Sequence, residues 1–316
     1  MPGLKGWIVF AVLLFSGGVL ASGLPVEKRT IESKTAQVEI SVAYPQTGNA
    51  AIDAQLRQWA REQADDFRNV DAEDVGPGLS WSLDIDYRVE RNDGKLFSVV
   101  FGIDSYAGGA HPNHNSVAFN FLLPEGAQLD IEQVIQGRKG LQRLSALAIA
   151  RLNAMLLPDE SSIPEMIQQG AGPEWGNFQT FVLLPDRLKL LFDPYAVGPY
   201  SSGPQEVTLP LSELKSVLRA DPRTPVPSFD CGKAGTPIEH AICTSSGLAQ
   251  LDLRVARVYR QRSSTGDPDY DARVRAAQRA FVGQRNARCG GRLGAALESC
   301  LTQMYQARLA ELDSAY

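Results

Sequence analysis

The sequence predicts an α+β protein: a domain built on an antiparallel sheet with packed helices, followed by a small all-α helical bundle stapled by disulfides. Three observations carry this. Apolar residues alternate with polar ones in short runs between residues 38 and 209, joined by tight-turn residues, with two helical-period stretches inserted. All four cysteines, Cys231, Cys243, Cys289 and Cys300, lie in the last 86 residues, as C-x11-C and C-x10-C among stretches of helical period. Between the two regions, Asp221 to Ser228 carries three prolines in eight residues, the composition of a semi-rigid linker.

The chain opens with Lys5, an apolar run from Trp7 to Phe15, and small residues at Val19 and Ala21. This is the pattern of a cleavable signal peptide over residues 1–21, and the apolar run is too short and glycine-broken to span a bilayer comfortably. No cysteine follows Ala21, so no lipoprotein anchor is expected. The mature protein is expected to be periplasmic or secreted, not membrane-embedded, in a compartment that permits disulfides.

Val38, Ile40, Val42 and Tyr44 form a half-buried strand ending at Pro45. Asn49 then caps a helix marked by Ile52, Leu56, Trp59 and Phe67. Trp81 to Val89 and Phe97 to Ile103 alternate on either side of Asn92-Asp93-Gly94, which makes a hairpin. Val117, Phe119 and Phe121 continue the sheet. Leu141 to Leu157 follows a helical period. Phe178, Thr180 and Val182 read as a strand that turns at Pro185-Asp186 and returns through Leu188, Leu190 and Phe192, before a short strand at Val207 and Leu209. Past the linker, Thr236-Pro237 starts a short helix. Three longer helices follow, marked by Leu248, Leu251, Val255 and Val258, by Tyr270, Val274, Ala277 and Phe281, and by Leu297, Leu301, Met304 and Leu312. The expected division is a sheet domain over 24–220, a linker over 221–228 and a four-cysteine helical domain over 229–316.

Charge is uneven. Residues 22–224 hold 27 acidic and 18 basic side chains, a net of −9, whereas 225–316 hold 9 and 12, a net of +3. An acidic body argues against nucleic acid as partner and favours a cationic one. Four cysteines allow three connectivities, and the sequence does not choose among them. The local pairs, Cys231–Cys243 and Cys289–Cys300, are the expectation, because each staples a turn to the helix beside it; with only His240 nearby, zinc is the weaker alternative.

The helical module resembles a known family. Phe229-Asp-Cys-Gly-Lys-Ala-Gly-Thr-Pro-Ile-Glu-His-Ala-Ile-Cys243, Leu248 to Arg254, Tyr259, Gln278 to Phe281, Arg285-Asn286 and Tyr305 to Leu309 look like the N-terminal domain of LprI-type lysozyme inhibitors, over about 229–312. Phe281 stands where that family usually has tryptophan. The resemblance implies an exported, cysteine-rich fold and a lysozyme as partner.

Two loops of the larger domain stand out: Ser105-Tyr-Ala-Gly-Gly-Ala-His-Pro-Asn113 and Tyr195-Ala-Val-Gly-Pro-Tyr-Ser-Ser-Gly203. Tyr106, His111, Asn113, Tyr195 and Tyr200 are the candidate partner- or ligand-binding residues; a structural corner, in which the rings bond backbone turned by the glycines, is the competing account. These loops, with Val42-Ala-Tyr-Pro45 and Phe192-Asp-Pro-Tyr, resemble the extracytoplasmic domain of RsiV-type anti-sigma factors and of PdaC-type peptidoglycan deacetylases, over about 36–217. RsiV-type domains bind lysozyme as a signal. No sigma-binding segment or deacetylase domain is recognised here, so binding is what the resemblance implies.

Nothing in the sequence singles out catalysis. His111-x-x-His114 has metal-like spacing but encloses Pro112 and sits on no helix, so no metal site is expected. There is no Gly-x-Ser-x-Gly elbow and no glycine-rich phosphate loop, so no cofactor is expected. The reading is a non-enzymatic envelope binding protein that engages and inhibits lysozyme. The alternatives are a module for peptidoglycan or envelope stress, and a hydrolase working through His111.

Overall fold

The computed structural model describes residues 23–68, 80–156, 163–263 and 268–314. The expected signal peptide, 1–21, and Leu157 lie outside them. A six-stranded sheet runs β1 (Glu27–Lys34), β2 (Val38–Gln46), β3 (Trp81–Asn92), β4 (Leu96–Tyr106), β5 (Asn113–Leu122) and β6 (Ala127–Gln128), in that spatial order. Helix α1 (Ala50–Arg68) connects β2 to β3, which are therefore parallel; every other neighbouring pair is antiparallel. Asn49 caps α1 as expected, its Oδ1 accepting the amides of Ala51 and Ile52 at 3.1 and 3.3 Å. Ile52, Leu56 and Ala60 of α1 bury one sheet face against Val42, Ile85, Val99, Phe101 and Phe119.

A second, antiparallel sheet, β7 (Phe181–Leu183), β8 (Arg187–Phe192) and β9 (Gln205–Pro210), packs on the opposite face of β4 and β5. β4 is therefore buried along its whole first half. The buried Asn120 ties the two sheets. Its Oδ1 accepts Ser98 Oγ at 2.8 Å and the Leu183 amide at 3.2 Å, while its Nδ2 donates to the Phe181 carbonyl at 2.8 Å. Helices α2 (Ile131–Val134), α3 (Gly137–Leu156), α4 (Ile163–Gly170) and α5 (Leu211–Leu214) complete this core. Phe178 corrects the sequence reading: it closes a 3-10 turn, Trp175–Phe178, and packs edge-on against Phe192, with the strand starting at Phe181.

The C-terminal module is α6 (Pro237–Thr244), α7 (Ser246–Arg262), α8 (Pro268–Cys289) and α9 (Gly294–Ser314), held by disulfides Cys231–Cys243 and Cys289–Cys300. Thr236 and Glu239 form a capping box before Pro237. Tyr305 sits at the centre of the bundle, donating to Asp252 Oδ1 at 2.6 Å and receiving Arg285 Nη1 at 2.7 Å; burial, with Asp252 adding to it, pushes the phenol well above its usual range. Ala277, expected in the core, is exposed, because α8 contributes only Phe281 and Cys289 as buried residues.

The proline-rich stretch is docked rather than free. Pro222 accepts Gln133 Nε2 at 3.2 Å, and Arg223 Nη2 donates to the Leu123 carbonyl at 2.7 Å. Ser228 donates through its amide and hydroxyl to Asp252 at 2.8 and 2.7 Å. Beyond it, Arg257 of α7 reaches both oxygens of the buried Asp130 at 2.9 and 3.0 Å. Arg260 approaches Glu132, which is only 3% exposed, to 2.7 Å. The Arg260 N–H groups are not aimed at that carboxylate, so the contact is Coulombic rather than a hydrogen bond. No helix among the described residues is long and apolar enough to cross a membrane.

Candidate functional site

The two tyrosine- and glycine-rich loops meet at one end of the β4–β5 pair. Gly108 and Gly109, at φ +84° and +104°, turn the chain between those strands and leave His111 and Pro112 at the bend. The second loop leaves β8 at Asp193, whose carboxylate accepts the Ser116 amide of β5 at 2.8 Å and pins the loop to the sheet. Gly170 at the end of α4 lets this loop approach: a Cβ there would lie 1.8 Å from the Ala196 carbonyl oxygen. Tyr195 has φ +69°, a conformation that a non-glycine residue holds only when its surroundings enforce it.

Three of the five candidate residues form one group. The His111 and Tyr200 rings stack with centroids 3.8 Å apart, and Tyr195 completes the set at 5.6 Å from Tyr200. The Pro112 carbonyl accepts from both Tyr200 Oη and His111 Nδ1, each at 2.9 Å. Because a carbonyl only accepts, this contact has His111 Nδ1 as its donor, and Nε2 lies 3.4 Å from the Tyr195 hydroxyl. Tyr195 is 57% exposed, so the group opens to solvent at that ring. Tyr106 donates to the Gly109 carbonyl of its own turn at 3.2 Å, and Asn113 sits exposed at the start of β5, opposite Ser105. His114, opposite Asp104 in the register, pairs with that carboxylate and lies 6.4 Å from the Tyr200 ring.

Asp193 is the group that sequence reasoning missed. Burial pushes its carboxyl up to about 6, against the opposing pull of the Ser116 amide and hydroxyl. Its signal was weak: an acid between a buried strand end, Phe192, and Pro194. The geometry offers ring stacking, a hydroxyl-lined edge and one acid that titrates near neutrality. Among the described residues, no three of His, Cys, Asp and Glu converge as a metal-ligand set.

A family profile described as Deacetylase PdaC matches residues 31–114, and one described as Protein of unknown function (DUF3298) matches 134–212. His111 comes from the first matched segment and Tyr195 and Tyr200 from the second. A profile described as Lysozyme inhibitor LprI matches 230–312. In this chain the LprI match is thus the C-terminal one and the PdaC match the N-terminal one. Peptidoglycan-N-acetylmuramic acid deacetylase PdaC of Bacillus subtilis strain 168 is 26% identical over 201 residues, 61% of this chain. The chain spans 42% of the length of that relative. Two solved DUF3298 structures also match. One, from Bacteroides fragilis NCTC 9343, has TM-score 0.46 at 19% identity and covers 64% of this chain and 96% of that one. The other, from Pseudomonas aeruginosa PAO1, has TM-score 0.49 at 16% identity and covers 64% and 98%. The chain is therefore similar, in successive segments, to PdaC-like, DUF3298 and LprI domains.

Proposed function

We propose that this chain is an extracytoplasmic, envelope-associated binding protein that engages lysozyme and inhibits it by covering the substrate cleft, with no catalysis of its own. The observation that carries the reading is the match of a lysozyme-inhibitor profile to 230–312, the segment that contains both disulfides. The charge distribution agrees with it: many lysozymes are strongly cationic, and a body of net −9 steers such a partner. On the body, Tyr106, His111, Asn113, Tyr195 and Tyr200 are the contact surface we propose. Inhibition by occlusion asks for shape and charge only, so neither cofactor nor metal enters.

A second reading is peptidoglycan binding at the same rings, favoured by the His111–Tyr200 stack and the exposed Tyr195, a platform on which a sugar face can lie. Titrating the chain without residues 1–21 into a lysozyme lysis assay, at low and high salt, tests the first reading. Inhibition that weakens at high salt supports it, and absence of inhibition at both ends it. Pull-down with purified peptidoglycan tests the second. His111→Ala and Tyr200→Ala are each expected to weaken whichever interaction is real by roughly tenfold, the effect of losing a central aromatic contact. The relative's name adds a third arm: acetate release from N-acetylated glycan that is abolished by His111→Ala would replace both readings with a hydrolytic one.

A further inference from the structure

The four residues that join α8 to α9, 290–293, are closed into a ring by Cys289–Cys300, whose two cysteines are buried. Both ends of the loop are fixed. A Cβ on Gly290 would sit 2.6 Å from the Asn286 carbonyl oxygen, and Gly294 has φ +54°. The Arg292 amide donates to the Cys289 carbonyl at 2.9 Å and folds the tip back on the helix end. At that tip Leu293 is 78% exposed, more than any other large hydrophobic among the described residues. Arg288, in the last turn of α8, and Arg292, next to Leu293 in the turn, are exposed and make no ion pair among the described residues. The arginines of α7 that face the body, Arg257 and Arg260, do pair.

A single exposed leucine is ordinary. An apolar side chain held at the tip of a covalently closed turn, with two uncommitted arginines within five residues before it, is not. It combines a central apolar anchor with little ordering entropy left to lose on binding. The chemistry also selects a partner. Glycoside hydrolases flank the scissile bond with two carboxylates in a concave cleft, and guanidinium groups pair with carboxylates in a planar, two-bond geometry. We propose that this tip is the inhibitory contact of the bundle, with Leu293 as anchor and Arg288 and Arg292 as carboxylate partners inside the substrate cleft of a lysozyme-type glycosidase. The assignment rests on the lysozyme reading above. It also accounts for the bundle's charge: the acidic body meets the cationic exterior of such an enzyme, while the basic tip meets its anionic cleft.

The test uses the chain without residues 1–21 in the lysis assay, with Leu293→Asp and Arg292→Glu beside wild type. Both side chains are exposed, so unchanged melting curves are expected and serve as the folding control. Wild type is expected to inhibit, and each variant to require roughly tenfold more protein or greater for half-inhibition. In calorimetry, an oligomer of N-acetylglucosamine that fills the enzyme's cleft is expected to compete with the chain. Wild-type inhibition that survives in both variants overturns the tip assignment and leaves the lysozyme reading standing, whereas binding indifferent to saturating oligomer overturns both the tip assignment and occlusion of the cleft. If wild type neither binds nor inhibits, both are lost.

Discussion

At Asp193 the carboxylate accepts the Ser116 amide while largely withdrawn from water, and its ionisation is disfavoured there. The sign follows. A carboxyl raised to about 6 from an ordinary 3.8 penalises the folded state when ionised, so the penalty is full above pH 6 and gone below pH 4. Relative to Asp193→Asn, which keeps an acceptor for Ser116, wild type should therefore gain up to about 2–3 kcal/mol between pH 7 and pH 4. Urea denaturation of both proteins at pH 7, 5 and 4 measures this, and parallel pH profiles would show the burial account to be wrong. In the bundle, Tyr305→Phe removes the hydroxyl between Asp252 and Arg285 and should cost about 1–3 kcal/mol without moving the disulfides. His111, Tyr195 and Tyr200 were legible because glycine and proline announce unusual backbone around them. Asp193 was not, since one acid among 36 carries no mark of its burial.

Among the elements, those with strong period were legible and those without were hidden. β3 and β4 alternate around Asn92-Asp93-Gly94, where the Asp93 carboxylate accepts the amides of Lys95 and Leu96, each at 3.0 Å, and Gly94 takes φ +76°. β1 gave no signal: as an edge strand it is mostly charged and exposed, the usual protection against edge pairing, with Lys28 bridging to Asp86 at 3.0 Å. β7 was misread because Phe181, Val182 and Leu183 are all buried, so alternation fails there. In the helical module, replacing Cys289 and Cys300 by alanine should lower stability by about 3 kcal/mol, the chain-entropy value for a loop of this size. Chemical denaturation under oxidising conditions reads it, and the Cys231–Cys243 bond serves as the internal control.

For the molecule as a whole, we propose the division into a sheet domain over 24–220, a linker over 221–228 and a helical domain over 229–316, coupled by charge. Asp130 and Arg257 are 127 residues apart and form a largely buried pair. Removing one partner leaves the other charge stranded, so Arg257→Ala should cost about 3–5 kcal/mol. It should also separate the thermal unfolding of helical and sheet regions, which we expect to coincide in wild type; a single unshifted transition in the variant would show that the pair couples nothing. Glu132 lies in the same junction, held above the ordinary carboxylate range by burial, with Arg260 opposing.

By itself the sequence determined the α+β class, the helical module with its cysteines, the turn chemistry of the β3–β4 hairpin and the two ring-bearing loops. Each of these is written in local spacing or composition, where periodicity and backbone preference act over a few residues. Only the tertiary structure decided that His111, Tyr195 and Tyr200 share one corner, that Asp193 loses its water, that the proline-rich stretch is docked and that Leu293 stands clear of the core. Those depend on which surfaces meet after folding, and burial of a charge or exposure of a leucine is a property of the neighbours, not of the residue.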